Sequence, residues 1–264
     1  MSKQLEVLDD LVAAGKETFE SRDVQVLAGL SPQSATNMLS RLVTHGLVDR
    51  VARGRYAIRP IGALGTRAAS EDVALAVAAA FGRQPHRIAY RSALDHHGLI
   101  DHPSREIIVA LDRSTSTKQV SGRRLRTVLE SPHRIGIGTV PAGHGAQVSS
   151  LERALLESAA RPELAGGTSA FASSLAAAHP DINEVLRLSR VLGSRAAIQR
   201  IGSLARALGL EELDARMEPL AVRLNWTLLD PESNEGEGEG VWRDDTWRVV
   251  WPYSVEELEA SVHS

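Results

Sequence analysis

The sequence predicts a mixed α/β protein: a small helical module closed by a basic hairpin, then a larger α/β domain that turns helical in its second half. Three observations carry this. Apolar residues recur at three- and four-residue spacing through the first forty or so positions, and the period then shortens to strand-like runs between 47 and 58. Far downstream, Ile107-Ile108-Val109-Ala110-Leu111 forms a continuous apolar run of strand length. The 264 residues suffice for one large or two ordinary domains.

A first helix is expected over about 3–14 on Leu5, Leu8, Leu11 and Val12, ending near Gly15. Thr18-Phe19 suits a brief strand. Ser21 is the expected N-cap of a second helix that presents Val24, Leu27 and Ala28, interrupted by Gly29-Leu30. Ser31 then caps a third helix with Pro32 at its first position, where a missing N–H costs nothing. Its inward side is Ala35, Met38, Leu39, Leu42 and Val43, and it stops at His45-Gly46. Leu47–Val51 and Arg55–Ile58 read as strands joined through Ala52-Arg53-Gly54. Helix, helix, turn, helix and hairpin is the order of a winged helix-turn-helix, placed at residues 1–60. Pro60, Gly62 and Gly65 mark a linker to a second domain at 61–264. There, helices are expected over Glu71–Phe81 and about 92–97, and a strand at 107–111. Weaker strands fall at 125–129, 134–140 and 146–148. Helices follow at about 151–160, 168–178, 182–192, 195–208 and 211–217. Strand-like 224–229 and 247–251 flank a loop at 230–240, and a short helix starts from Glu256.

No apolar run reaches the roughly 18 residues of a membrane span, and Met1–Glu6 has no apolar signal core. Zero cysteines exclude a disulfide scaffold, a cysteine-ligated zinc and thiol catalysis, so a cytoplasmic location is expected. The net charge of −3 hides an asymmetry: residues 41–59 carry +4, residues 83–134 carry +5, and residues 150–264 carry −8. Two basic stretches ahead of an acidic half keep nucleic acid open as a partner.

The third helix turns Gln33, Ser34, Thr36, Asn37, Ser40 and Arg41 away from its apolar side, with no acid from Ser31 to Arg41. A face meant only for water would more often carry Glu and Lys. Gln and Asn pair with adenine edges and Arg with guanine, whereas Ser and Thr serve phosphates or bases. Gln33, Thr36, Asn37 and Arg41 are therefore expected at base edges, with Ser34, Arg53 and Arg55 on the backbone. Arg123, Arg124 and Arg126 are candidates to extend the phosphate track, with 124 and 126 on one strand face. The plainer alternative is a small helical domain used for protein contacts.

Other constellations read as structural. Adjacent His96 and His97, near Asp95, Asp101 and His102, point about 100° apart on a helix and share one metal poorly. The glycines at 136, 138, 143 and 145 lack a following Gly-Lys-Ser/Thr. Gly166-Gly167-Thr168-Ser169 is more simply an ordinary helix start. Gly202-Ser203 with Glu212 and Asp214 mimics a nucleotidyltransferase pattern but sits in helical periodicity. All four tryptophans lie between 226 and 251, and suit a small aromatic core better than an exposed surface. Glu232–Gly240 reads as a solvated loop. No Gly-x-Ser-x-Gly or His-Glu-x-x-His occurs. Neither enzyme, cofactor nor metal is expected.

Tyr90-Arg91-Ser92-Ala93-Leu94-Asp95-His96-His97-Gly98-Leu99 resembles a helix motif of the AbiEi family, antitoxins of type IV abortive-infection toxin–antitoxin systems. Glu152-Arg153-Ala154-Leu155-Leu156-Glu157 resembles that family's Glu-Arg-Thr-Leu-Leu-Asp segment, with Ala154 for Thr and Glu157 for Asp. Arg200-Ile201-Gly202-x-Leu204 is similar to its later Arg-hydrophobic-Gly helix. The resemblance implies that the N-terminal domain represses its operon by binding double-stranded repeats in its own promoter. It implies that the rest, an AbiEi-like antitoxin domain, counteracts a nucleotidyltransferase toxin without needing a stable complex. A stand-alone transcription factor and an antitoxin that sequesters its toxin by contact remain the alternatives.

Overall fold

The computed structural model describes residues 3–59, 72–82, 84–100, 104–232 and 241–262. The fold is mixed α and β, and the chain divides into two compact units. The first comprises Met1–Ile88, Arg105–Ile135 and Pro141–Gln147, and the second Ala89–Ser104, Gly136–Val140 and Val148–Ser264. The expected linker residues Pro60, Gly62 and Gly65 lie outside the described residues.

The first unit opens with α1 (Lys3–Ala13), β1 (Thr18–Glu20), α2 (Ser21–Ala28) and α3 (Pro32–Thr44), then β2 (Val48–Ala52) and β3 (Arg55–Ile58). On α1 the buried stripe is Val7, Leu8 and Leu11. Leu5 and Val12 fall at its margins and stay 44% and 59% exposed, so the inward face is rotated from the one the spacing suggested. Thr18-Phe19 does form a strand: Phe19 lies opposite Tyr56 of β3, and their rings stack at 5.7 Å. The cap of α2 is Glu20, one residue earlier than expected. Its side chain forms a reciprocal capping box with Asp23, whose carboxylate accepts from Glu20 N–H at 2.7 Å. Ser21 instead donates from its backbone N–H to Gly54 O at 3.0 Å, tying α2 to the hairpin turn. On α3, Ser31 caps as expected, its Oγ accepting from Ser34 N–H at 3.2 Å. The sheet order is β1-β3-β2, all antiparallel. One core joins Val7, Leu8, Leu11, Phe19, Val24, Ala35, Leu39, Leu42, Val48 and Tyr56.

Beyond the described gap, Asp72 caps α4 (Val73–Phe81) by accepting from Leu75 N–H at 2.9 Å. Glu71, where the sequence started this helix, lies outside the described residues. Residues 74–81 are buried on every side, as a helix apolar all round must be. β4 (His86–Ile88) precedes α5 (Arg91–His96), and β5 (Glu106–Leu111), β6 (Gln119–Val120) and β7 (Arg123–Leu129) follow. β5 is the long apolar run, buried between antiparallel β4 and parallel β7. The weak strand expected at 134–140 is corrected: α6 (Pro132–Ile135) occupies its start, with proline at the first helical position, and β8 (Thr139–Gly143) begins later. β9 (Ala146–Ser149) completes a six-stranded sheet of order β6-β7-β5-β4-β9-β8.

His144, at the β8–β9 turn with φ +53°, reaches Glu17 through Nδ1 and Asp72 through Nε2 at 3.1 Å. The hydrogen bond with Glu17, with the nearby charge of Asp72, raises the imidazole above its ordinary value near 6.5 despite partial burial. A histidine so raised stabilises the fold fully below the unfolded value and loses that contribution as pH climbs through the folded one. The difference in Tm between wild type and His144→Ala should therefore be largest near pH 5.5 and shrink by pH 8.5. Equal differences at the two pH values would remove the ionic role.

The second unit contains α5, α7 (Leu151–Ala160), α8 (Thr168–Ala177), α9 (Ile182–Leu192), α10 (Arg195–Ala207) and α11 (Glu211–Met217). β10 (Thr227–Leu228), β11 (Trp242–Asp244), β12 (Val249–Trp251) and α12 (Val255–Val262) close it. The expected helix boundaries hold within a residue or so, whereas β11 went unseen beside a loop whose residues 233–240 lie outside those described. A small sheet has the order β10-β12-β11. Trp247 and Trp251 are buried, their indole N–H groups donating to Asp214 Oδ1 at 3.1 Å and Ser203 Oγ at 2.9 Å. Gly202 lies flush under the Trp247 indole, where a Cβ would overlap the ring. Of the nucleotidyltransferase-like residues, Gly202, Ser203 and Asp214 thus have packing tasks, and Glu212 is exposed. Arg200, also buried, donates to Ala159 O at 2.9 Å and Ala160 O at 3.1 Å at the end of α7, and to Leu228 O at 2.8 Å.

Candidate nucleic-acid interface

The interface is built on α3. Ala35, Leu39 and Leu42 are fully buried and lock one side of the helix to the core. Gln33, Ser34, Thr36, Asn37, Ser40 and Arg41 are all exposed on the other. The polar side chains hold one another in place: Gln33 Nε2 donates to Asn37 Oδ1 at 3.3 Å, and Ser31 Oγ to Ser34 Oγ at 3.0 Å. Thr36 Oγ1 donates to Pro32 O at 2.9 Å, leaving its lone pairs outward. Arg41 has no ion-pair partner among the described residues.

Beside α3, β2 and β3 form the wing. Its turn needs a residue at positive φ, supplied by Gly54 at +72°, and this leaves Arg53 exposed at the tip without a carboxylate partner among the described residues. Arg55 is placed differently from the expectation. Half-buried, its Nη1 donates to the carbonyls of Ala79 (3.4 Å) and Ala80 at the C-terminal end of α4, and its Nη2 lies 3.7 Å from Glu20. A cation there complements unpaired helix carbonyls, so Arg55 anchors the wing to α4. Arg59, counted in the basic stretch, is buried and donates to Asp49 Oδ1 through Nε at 3.0 Å and Nη2 at 2.7 Å. Its charge is neutralised inside. Arg50, which the sequence reading did not select, stands exposed on β2 opposite Tyr56. Its place in the basic hairpin was the available signal.

The second basic stretch comes to the wing. Ser121 N–H, at the β6–β7 turn, donates to Val51 O of β2 at 3.4 Å. On β7, Arg124 and Arg126 are exposed on either side of buried Leu125, sharing a face as expected. Both lie near Glu106, at 3.6 and 3.9 Å, so part of their charge is balanced, while Arg123 is half-buried.

No group of His, Asp and Glu side chains that could hold a metal occurs among the described residues. Asp101 and His102 lie outside them. His97 Nε2 pairs with Ser149 O at 2.8 Å, and its ring meets that of His96 edge-on. No helix among the described residues is long and apolar enough to cross a membrane.

Elements and face together define a winged helix-turn-helix of the regulator type. Residues 6–59, from within α1 to just past β3, match the sequence profile of a family described as transcriptional regulator, AbiEi antitoxin. Over those residues the chain is similar to that family. No curated protein matches the chain. Among solved structures, the crystal structure of the RV2827C protein from Mycobacterium tuberculosis superposes with a TM-score of 0.70 at 18% identity. It covers 100% of this chain and 96% of that one, which establishes a shared fold throughout.

Proposed function

We propose that the chain represses its own operon by binding promoter repeats and acts as antitoxin to a nucleotidyltransferase-type toxin. The observation that supports this most directly is the exposed, acid-free face of α3 beside an arginine-tipped wing. In this reading Gln33, Thr36, Asn37 and Arg41 meet base edges in the major groove. Ser34 and Arg53 hold phosphates, and Arg123, Arg124 and Arg126 lengthen the phosphate track beyond the wing. Arg55 is left out, because its guanidinium already serves α4. The protein works by binding, with no reaction, cofactor or metal assigned to it, in the cytoplasm. The second unit counteracts the toxin, and direct contact is not required.

Titration of a promoter duplex across salt concentrations tests the DNA half. Arg53→Ala should weaken binding to all sequences alike and reduce the salt slope by about one unit. An unchanged slope would overturn the wing assignment. Growth rescue on co-expression with a neighbouring nucleotidyltransferase tests the antitoxin half. Repression without rescue would leave a stand-alone regulator, and copurification with the toxin would indicate sequestration.

A further inference from the structure

The second unit is acidic in sum, yet several of its arginines lie near one exposed tryptophan. Trp226 keeps 43% of its surface exposed, whereas Trp247 and Trp251 are buried. The guanidinium carbons of Arg248 and Arg243 stand 5.1 and 5.9 Å from the Trp226 ring centroid. Nearby, a cleft of about 370 Å³ is walled by Arg190, Arg195, Val222 and Leu224, with no carboxylate among its lining residues. The two features adjoin. Gln199, one helical turn beyond Arg195 on α10, donates from Nε2 to Asn225 O at 2.8 Å, the residue before Trp226. Arg190, Arg195, Arg223 and Arg243 are exposed and make no ion pair among the described residues. Among the described residues Arg248 has only exposed Asp245, at 3.6 Å, which neutralises little in water.

We infer that this face binds single-stranded nucleic acid. Its chemistry is that of a stacking platform: a half-exposed indole already flanked by guanidinium groups, which can swing aside or stack in turn, receives unstacked bases, and the exposed arginines around it receive the phosphates between them. A duplex keeps its bases stacked and cannot offer a ring to Trp226. An acidic peptide would satisfy the arginines but leave the indole without a planar partner. The surface belongs to the second unit, whereas α3 and the wing belong to the first, so the inference adds a second nucleic-acid site to the proposed repressor.

Fluorescence polarisation of labelled oligo(dT) and oligo(U) of about twelve nucleotides, titrated with the full chain at low salt, tests it. Trp226→Ala should weaken binding of at least one strand type about tenfold, with Trp226→Phe close to wild type and promoter-duplex affinity unchanged. Tighter binding of oligo(U) than oligo(dT) would point to RNA as the source, and equal binding to either strand. Three results would overturn the inference: no binding of either oligonucleotide, equal affinity of Trp226→Ala and wild type, or loss of binding in an Asn37→Ala/Arg41→Ala variant. The last would place the strand on the winged helix.

Discussion

Replacing Asn37 and Arg41 together by alanine is expected to strip base preference from the winged helix while leaving much of its affinity for bulk duplex. Each good bidentate contact discriminates by roughly 1–3 kcal/mol, so the pair should remove about 2–6 kcal/mol of preference. Neither side chain is part of the core, which rests on Ala35, Leu39 and Leu42 one face away, so folding is not at stake. Loss of the Asn37 carbonyl also frees the Gln33 amide that donates to it, and Gln33→Ala separates this secondary effect. The measurement is competition between promoter and scrambled duplexes at fixed salt. A preserved ratio would mean that α3 is not the reader.

Glu157→Ala is expected to cost about 3–5 kcal/mol of unfolding free energy, the range for breaking a buried ion pair from one side. Glu157 Oε1 accepts from Tyr90 N–H at 2.7 Å and Ser149 Oγ–H at 2.6 Å, and Oε2 lies 3.5 Å from Arg153 Nε. Arg153 is itself buried and donates to Ile137 O. Truncation takes a carboxylate away from beside the buried Arg153 guanidinium and removes the acceptor that holds Tyr90 at φ +52°, just ahead of α5. Glu157→Gln keeps an acceptor and should lose less. Denaturant midpoints with an unchanged slope check both, and an alanine variant as stable as wild type would show that Glu157 is not the anchor.

The exposed polar face of α3 was legible before the structure because everything that creates it is local. Ser31, Pro32 and the spacing of Ala35, Leu39 and Leu42 settle the helix and its orientation within one short segment. The fates of Arg55 and Arg59 were not legible, since their partners are α4 carbonyls more than twenty positions away and an aspartate across the hairpin. Both were counted as basic surface, and neither is free. The same limit hid Arg50, whose exposure follows from sheet register rather than from its neighbours in sequence. In the second unit helices were readable from periodicity, but β11 is three residues long and pairs only through its partner strand. The motif residues Arg153, Glu157 and Arg200 carry charge in apolar company, and only long-range geometry shows what each one fastens.

The flush seat of Trp247 on Gly202 ties two stretches of chain that would otherwise drift independently over generations. The helix bearing Gly202 also bears Arg200, whose guanidinium clamps the end of α7 to β10. A lineage that enlarged position 202 would have to trim its indole partner in the same step or surrender that clamp, so these three sites should be inherited as a set.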